Sequence, residues 1–228
     1  MKYDIIIPVW NQSELTVKCL QSIKKNTKHY KIILIDNASE KSEFDVIFKE
    51  LQNHDHLLIR NCQNLGFVKA VNQGLAASQS QYVIIQNNDT EVITNRWADR
   101  LQNCFQLNKV GISASITNNV NQWQGREVLC DKVRIIDKGK MVAFFSVMIS
   151  KECINKVGYL DECFGVGFGD DDDYCLRTQK SGFNIALNNG VMVNHWHRST
   201  FKKIYSLDEI SDMQKEALKK YKKKHEIS

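Results

Sequence analysis

The chain opens with a short isoleucine-rich apolar run, Tyr3 to Val9, closed by Pro8 and then Trp10-Asn11, and a periodic segment follows from Ser13 to Lys25. A run of that length between turn residues reads as a buried strand, and the 3.6-residue period after it reads as a helix. The same alternation then recurs. Lys31 to Ile35 forms a second strand ending in Asp36-Asn37-Ala38-Ser39, with a helix around Phe44 to Leu51. Leu57 to Ile59 is a third, leading through Asn64-Leu65-Gly66-Phe67 into a small-residue helix that runs to about Ser78. Tyr82 to Ile85 is a fourth, ending in Gln86-Asn87-Asn88-Asp89. Repeated strand and helix units of this kind predict an α/β fold, with a mostly parallel sheet whose faces are covered by helices.

The second half is less regular. The pattern predicts a helix from Thr94 to Gln106, a strand near Val110 to Ile116 and a polar loop from Thr117 to Glu127. A strand from Met141 to Ile149 and a short helix from Lys151 to Val157 follow. After a turn at Gly158-Tyr159-Leu160-Asp161, an acidic helix stops at Ser181-Gly182, and a strand from Val191 to Val193 ends in Asn194-His195-Trp196-His197-Arg198-Ser199-Thr200. A Ser-Leu-Asp-Glu capping box at Ser206 opens a tail helix. Its stripe of Leu207, Ile210, Met213, Ala217, Leu218 and Tyr221 predicts packing on the domain, with lysines on the opposite, solvated face. The expected division is a domain over 1–205 and a basic amphipathic helix over 206–228.

Composition narrows the class. At 228 residues the chain suits one large domain. It has no apolar stretch of about 18 residues to span a bilayer, and its first residues do not read as a secretory signal. The seven cysteines are odd in number and lack C-x-x-C spacing, so free thiols and a cytoplasmic location are expected. A net charge of +5, much of it in the tail, gives no nucleic-acid signature; the tail could touch an acidic membrane face or partner.

The densest chemistry is GVGFGDDDDYCLR, Gly165 to Arg177, where a glycine-broken turn delivers four consecutive aspartates into the first turn of a helix. The helix dipole favours each acid there by about 0.3–1 kcal/mol. Like charges about 4 Å apart repel by about 1 kcal/mol even in bulk water. The dipole therefore does not account for the run, and a cation, a sugar hydroxyl or a proton to be removed does so better. Asp173 and Arg177, four apart, read as an ordinary surface pair. Asn11, Asp36, Asn64 and Asn87 to Asp89 each follow a strand. In an open α/β sheet those strand ends share one edge, so these groups converge on one crevice. Neither G-x-G-x-x-G after the first strand nor G-x-x-x-x-G-K-[ST] is present, which excludes a dinucleotide-binding Rossmann domain and a P-loop.

The ordered set IIPVWN, LIDNAS, NLGFVKAVNQG, QNNDTEV, FFSVMISKECINKVGYLDECF, GDDDDYCLR and NHWHRST resembles the family 2 glycosyltransferases, inverting enzymes of the GT-A fold, over about residues 3 to 200. The resemblance implies transfer of a sugar from a nucleoside diphosphate donor, most commonly UDP with dTDP and GDP open, to an acceptor hydroxyl on a glycan or lipid-linked glycan. It implies a divalent cation, Mn2+ or Mg2+, and a role in surface-glycan synthesis.

Carried over by motif, the nucleobase falls to Pro8, Val9, Trp10 and Asp36, and the nucleotide and its phosphates to Asn64, Gly66, Lys69 and Asn72. The family's Asp-x-Asp lands on Asn87-Asn88-Asp89. Asn87 departs at the first acid and can still bond a ribose hydroxyl, and Asp89 is left to hold the metal. The family's base lands on Asp171, with Asp170 and Asp173 as alternatives. The late metal-holding histidine aligns with His195, His197 coming second. Asp173, Trp196 and the stretch from Thr117 to Arg134 are expected on the acceptor side. Two other readings stand beside this one: a non-catalytic nucleotide-sugar or glycan-binding domain of the same fold, and a calcium-binding structural domain.

Overall fold

The computed structural model describes residues 2–120, 122–165, 168–196 and 206–226. Its first half follows the predicted alternation: β1 (Tyr3–Val9), α1 (Ser13–Asn26), β2 (Tyr30–Asp36), α2 (Lys41–Leu51), β3 (His56–Arg60), α3 (Phe67–Ala77) and β4 (Tyr82–Gln86). β1 pairs in parallel with β2 and with β4, and β2 in parallel with β3. The chain thus steps outward from β1 to β3 and returns through α3 to the other side of β1. That reversal places a topological switch point between β1 and β4, where open α/β sheets have their crevice.

The rest comprises β5 (Thr90–Val92), α4 (Trp97–Asn103), β6 (Val110–Ile116), β7 (Val133–Ile135), β8 (Ser146–Ser150), α5 (Lys151–Val157), α6 (Asp170–Lys180), β9 (Asn184–His195) and α7 (Leu207–His225). The sheet order is β3-β2-β1-β4-β8-β6-β9-β5, with β7 also pairing with β9. β8 runs antiparallel to both β4 and β6, and β9 is parallel to β6. β9 therefore runs the same way as β1 to β4, and its carboxyl end reaches the same sheet edge as theirs.

The strands are apolar on both faces because both are covered. Along β2, Ile33 and Ile35 face one core with Val68, Val71 and Leu75 of α3, while Ile32 and Leu34 face the other with Leu20 and Ile23 of α1. Helices α1, α2 and α4 supply the second core, and α3, α5, α6 and Tyr221 of α7 the first. Ile210, Ala217 and Tyr221 bury one side of α7, and its Ser206 capping box is present as predicted.

Several elements differ from the pattern, each for a local reason. Residues 141–145 precede β8 instead of belonging to it, because their backbone groups are taken by side chains: the Trp123 indole donates to the Met141 carbonyl at 2.8 Å and the Gln124 amide accepts from Ala143 N at 2.8 Å. β9 is far longer than Val191 to Val193. Buried Asn188 and Asn189 interrupt its apolar alternation, yet their amides donate to the carbonyls of Arg100 at 2.9 Å and Val128 at 3.0 Å. The helix expected from Thr94 begins at Trp97, since Arg96 adopts φ 55°. β5 and β7 are three residues each, too short to leave a period.

A Cβ added at Gly74 of α3 would lie 2.4 Å from Ile6 Cγ2 and 3.0 Å from Ile35 Cδ1, both on core strands. Overpacking costs about 1–3 kcal/mol, against a gain of about 1 kcal/mol from helix propensity. Gly74→Ala is expected to lower the urea midpoint at unchanged m-value; an unchanged or higher midpoint would show that α3 can withdraw from the sheet.

Candidate active site

The site is built at the carboxyl edge shared by β1, β2, β3, β4 and β9. Asn11 and Gln12 after β1, and Ala38 after β2, all take positive φ, at 53°, 61° and 63°. Side chains hold these turns to one another: Asn11 N donates to Ser39 Oγ at 2.7 Å, and Glu40 N to Asn11 Oδ1 at 2.8 Å. Pro8 and Val9 are buried within β1, and Trp10 is half-buried at its end.

Asp36, the last residue of β2, is completely buried. Its Oδ1 accepts from Ser39 N at 3.2 Å, and Arg60 Nε lies 3.0 Å from Oδ2. The Arg60 guanidinium also sits 3.8 Å from the Phe44 ring centroid. Arg60 had no place in the sequence reading, although it stands directly at the end of β3, where its neighbours in the pattern carry polar groups.

Around α3, Gly66 N donates to Asn64 Oδ1 at 2.9 Å, and Gly66 itself takes φ 82° at the helix N-cap. Lys69 makes an exposed ion pair with Glu162 at 4.0 Å. Asn72 is directed elsewhere. Its amide nitrogen donates to the Leu160 carbonyl at 2.9 Å and its Oδ1 accepts from Leu160 N at 3.0 Å, so it braces the turn before α6 and has little left for a nucleotide. Asn88 likewise turns inward, donating to Thr16 Oγ1 of α1 at 3.0 Å. Asn87 keeps a buried Oδ1 without a hydrogen-bond partner, and its backbone N donates to the Phe145 carbonyl at 2.9 Å.

Asp89 and His195 come together. Thr90 of β5 pairs with His195 of β9, Trp196 N donates to the Asp89 carbonyl at 3.0 Å, and His195 Nε2 lies 3.3 Å from Asp89 Oδ1. The imidazole stacks on Phe145 at 5.1 Å between centroids, and Asn118 Oδ1 accepts from His195 N at 2.9 Å. Phe145 and Asn118 were not anticipated; an apolar run and a polar loop give no sign of which residue meets a histidine 50 or more positions away. Trp196 is half exposed beside this pair, and His197 lies outside the described residues. Among the described residues no three His, Cys, Asp or Glu side chains group as a metal cage. The Asp89 carboxylate suits a hard cation such as Mn2+ or Mg2+ when phosphate and water complete the shell, with the His195 imidazole as a nitrogen donor beside it.

The acidic helix starts at Asp170, after Gly169 at φ 80°. Asp170 is buried, and burial with the nearby Asp172 and Asp173 carboxylates pushes it up to about 6. Asp171 is half-buried. Its Oδ1 accepts from Asp172 N at 2.9 Å, and burial followed by the charges of Asp170 and Asp172 pushes it well above the usual carboxylate range.

Asp173 corrects the expectation of a surface pair and of an acceptor contact. It is fully buried, with Arg177 Nε on Oδ2 at 2.7 Å and Lys224 Nζ and His225 Nε2 on Oδ1 at 2.6 and 2.8 Å. Burial raises its pKa, but Lys224, Arg177 and His225 outweigh that and hold it below the usual range. Gln124 and Thr117, in the loop expected to meet an acceptor, are buried, whereas Val120, Val128 and Leu129 are exposed.

A sequence profile described as "Glycosyl transferase family 2" matches residues 4–145, well over half of the chain. The chain belongs to glycosyl transferase family 2. It is 26% identical over 94 residues to the poly(ribitol-phosphate) beta-glucosyltransferase of Bacillus spizizenii, a match over 39% of this chain and 15% of that protein. It is 24% identical over 93 residues to glycosyltransferase GlyG of Streptococcus pneumoniae serotype 4, over 40% and 31%. The chain thus spans under a third of the length of either curated relative.

Among solved structures, S. aureus TarS superposes with a TM-score of 0.70 at 12% identity, covering 89% of this chain and 38% of that one. GalNAc-T7 with UDP, GalNAc and Mn2+ gives 0.68 at 15%, covering 85% and 43%. The mannosyltransferase PcManGT of Pyrobaculum calidifontis with GDP-Man and Mn2+ gives 0.66 at 16%, covering 85% and 56%. These likenesses establish the GT-A fold of this family member.

The raised Asp171 has a consequence for stability. An acid whose folded pKa lies above its unfolded value disfavours the folded state at high pH, and that penalty fades as pH falls through the raised value towards the ordinary one. Asp171→Asn is expected to raise Tm at pH 8, by about 2–4 °C for each kcal/mol of repulsion removed. The gain should shrink towards pH 4. An equal change at both pH values would mean that charge crowding at Asp171 is not the cause.

Proposed function

We propose that this protein transfers a sugar, with inversion at the anomeric carbon, from a nucleoside diphosphate sugar to an acceptor hydroxyl. The observation that carries the reading is the pairing of Asp89 with His195 on the sheet edge where α6 also begins with a half-buried, charge-crowded Asp171.

In this reading the turns after β1 and β2 hold the base, with Pro8, Val9 and Trp10 shaping one wall and the Asp36–Arg60 pair presenting its polar end. Asn64, Gly66 and Lys69 lie on the phosphate side, and Asn87 has an unpartnered amide oxygen that would accept from a ribose hydroxyl. Asp89 and His195 would hold the divalent cation. When bound, such an ion supplies Lewis-acid stabilisation of charge on the departing diphosphate.

Asp171 takes the proton of the acceptor hydroxyl while the oxygen bonds to the anomeric carbon. The bond from that carbon to the diphosphate oxygen breaks, and its electron pair leaves with the nucleoside diphosphate. A carboxylate held above its usual range is a better match for this proton than an ordinary surface acid. Attack from the face opposite the leaving group gives inversion. UDP sugars are the donor class we favour, because GalNAc-T7 was solved with UDP and TarS also with UDP-GlcNAc, at a TM-score of 0.68. A role in building a surface glycan rests on the Bacillus relative's poly(ribitol-phosphate) acceptor. No described helix is long and apolar enough to cross a membrane. A cytoplasmic location and peripheral contact through the exposed lysines of α7 are parts of this proposal.

A thermal-shift panel of UDP, GDP, dTDP and CDP, with and without Mn2+, tests the donor site. One nucleotide at about 100 times its dissociation constant is expected to add about 2.7 kcal/mol, in a metal-dependent way that Asp89→Ala removes. In turnover assays Asp171→Asn is expected to abolish transfer while keeping that shift. Full activity in this variant would reject Asp171 as the base, and no shift with any nucleotide would favour a glycan-binding module instead.

A further inference from the structure

Asp173 lies two residues past Asp171 in the first turn of α6, and its buried carboxylate gathers four separate parts of the chain. Arg177, which bonds its Oδ2, also donates through Nη1 to the Val157 carbonyl at 2.8 Å and through Nη2 to the Tyr159 carbonyl at 2.9 Å. Lys224 bridges Asp173 Oδ1 and Asp161 Oδ2, at 2.6 Å each, and His225 Nε2 reaches the same Oδ1 at 2.8 Å. The end of α5, the turn at Asp161, α6 and the last turn of α7 thus meet at one group.

We propose that Lys224 and His225 of α7 are positioning residues for the transfer reaction: by holding Asp173 they fix the first turn of α6, and with it the Asp171 carboxylate that must meet the acceptor hydroxyl. The proposal rests on the glycosyl-transfer reading above.

The distribution of charge supports it. Asp170, Asp171, Asp172 and Asp173 share one turn, and among the described residues the side-chain cations Arg177 and Lys224 bond only the last of them. Asp171 Oδ1 instead accepts from a backbone N–H. The arrangement neutralises the acid that never sees solvent and leaves the proton acceptor among like charges. Stability alone is a poor reason for such a group, because burying ions costs about as much as their pairing returns. Ile210, Ala217 and Tyr221 already give α7 an apolar anchor. A fixed geometry is what the buried carboxylate adds, and misplacing a reacting group by about 1 Å can cost about 100-fold in rate.

The test compares wild type with Lys224→Met, Lys224→Arg, the milder His225→Gln, and Lys223→Met as an exposed control of equal charge change. Nucleoside diphosphate release gives kcat and donor KM, UDP with Mn2+ reports nucleotide affinity, and carbon-13 NMR follows the Asp171 carboxyl titration. Lys224→Met is expected to lower kcat by about 10-fold to 100-fold at unchanged UDP affinity. It should also move the acid limb of the rate profile and the Asp171 midpoint to higher pH, because a cation is lost nearby. His225→Gln should lower kcat to a smaller degree, Lys224→Arg should recover most of the rate, and Lys223→Met should change nothing. A lower Tm with wild-type kcat and an unmoved Asp171 midpoint would overturn the proposal. If wild type releases diphosphate from no donor, the transfer reading falls and the proposal falls with it, whereas wild-type kcat in Lys224→Met overturns the positioning alone.

Discussion

Two consecutive aromatic side chains, Phe144 and Phe145, hold the working edge of the molecule together. They lie just before β8 and join opposite cores. Phe145 stacks on His195, and its carbonyl accepts from Asn87 N, so it ties the end of β9 to the turn after β4. Phe144 meets Tyr174 of α6 edge-on at 5.7 Å, which brings the acidic helix to the same edge. β8 itself is the antiparallel strand between the β4 and β6 halves of the sheet. If its register slipped by one residue, the two rings would exchange faces, separating the histidine from Asp89 and the helix from the crevice.

The site is built from groups that are costly to place together and are arranged so that the cost falls where it is useful. Asp36 is buried but carries Arg60, and Asp173 is buried but carries Arg177, Lys224 and His225. Each ties a neighbouring turn in place. Asp170 and Asp171 have no side-chain cation bonded to them among the described residues, and burial together with the neighbouring carboxylates makes their protons harder to lose. A helix N-terminus favours negative charge by only about 0.3–1 kcal/mol per acid. The remaining repulsion at α6 is borne by the packing of Tyr174 and Cys175 in the core and by α7 on the outside. Through Lys224 and His225, α7 contacts the first turn of α6, although none of its residues stands in the family motifs.

The polar residues that follow the strands divide into two kinds. Asn11, Asn72 and Asn88 spend their side chains on other turns and helices and give the edge its shape. Asn87 keeps an unpartnered amide oxygen, and Asp89 and His195 pair with each other. The replacement of an acid by Asn87 fits this division, since a charge beside Asp89 would add to repulsion where an amide does not.

The strands and helices of the first half, the shared edge of their polar ends and the order of the loop motifs were legible in the sequence, because a parallel sheet covered on both faces leaves continuous apolar runs with polar groups at their ends. The acidic turn of α6 and the capping box of α7 were legible too, being local. The length of β9 and the start of β8 were not, since buried asparagines and a side-chain-bonded stretch break the hydrophobic period for reasons found elsewhere in the chain. Nor could any local pattern show which polar residues face the crevice. The choice between Asn72 as a ligand and Asn72 as a brace was made by Leu160, 88 residues away. The choice between Asp173 as a surface acid and as a buried hub was made by Lys224 and His225, about 50 residues away. Residue type and spacing limit what a side chain can do, but its partners are set by the packing of distant elements, and only the tertiary structure brings those together.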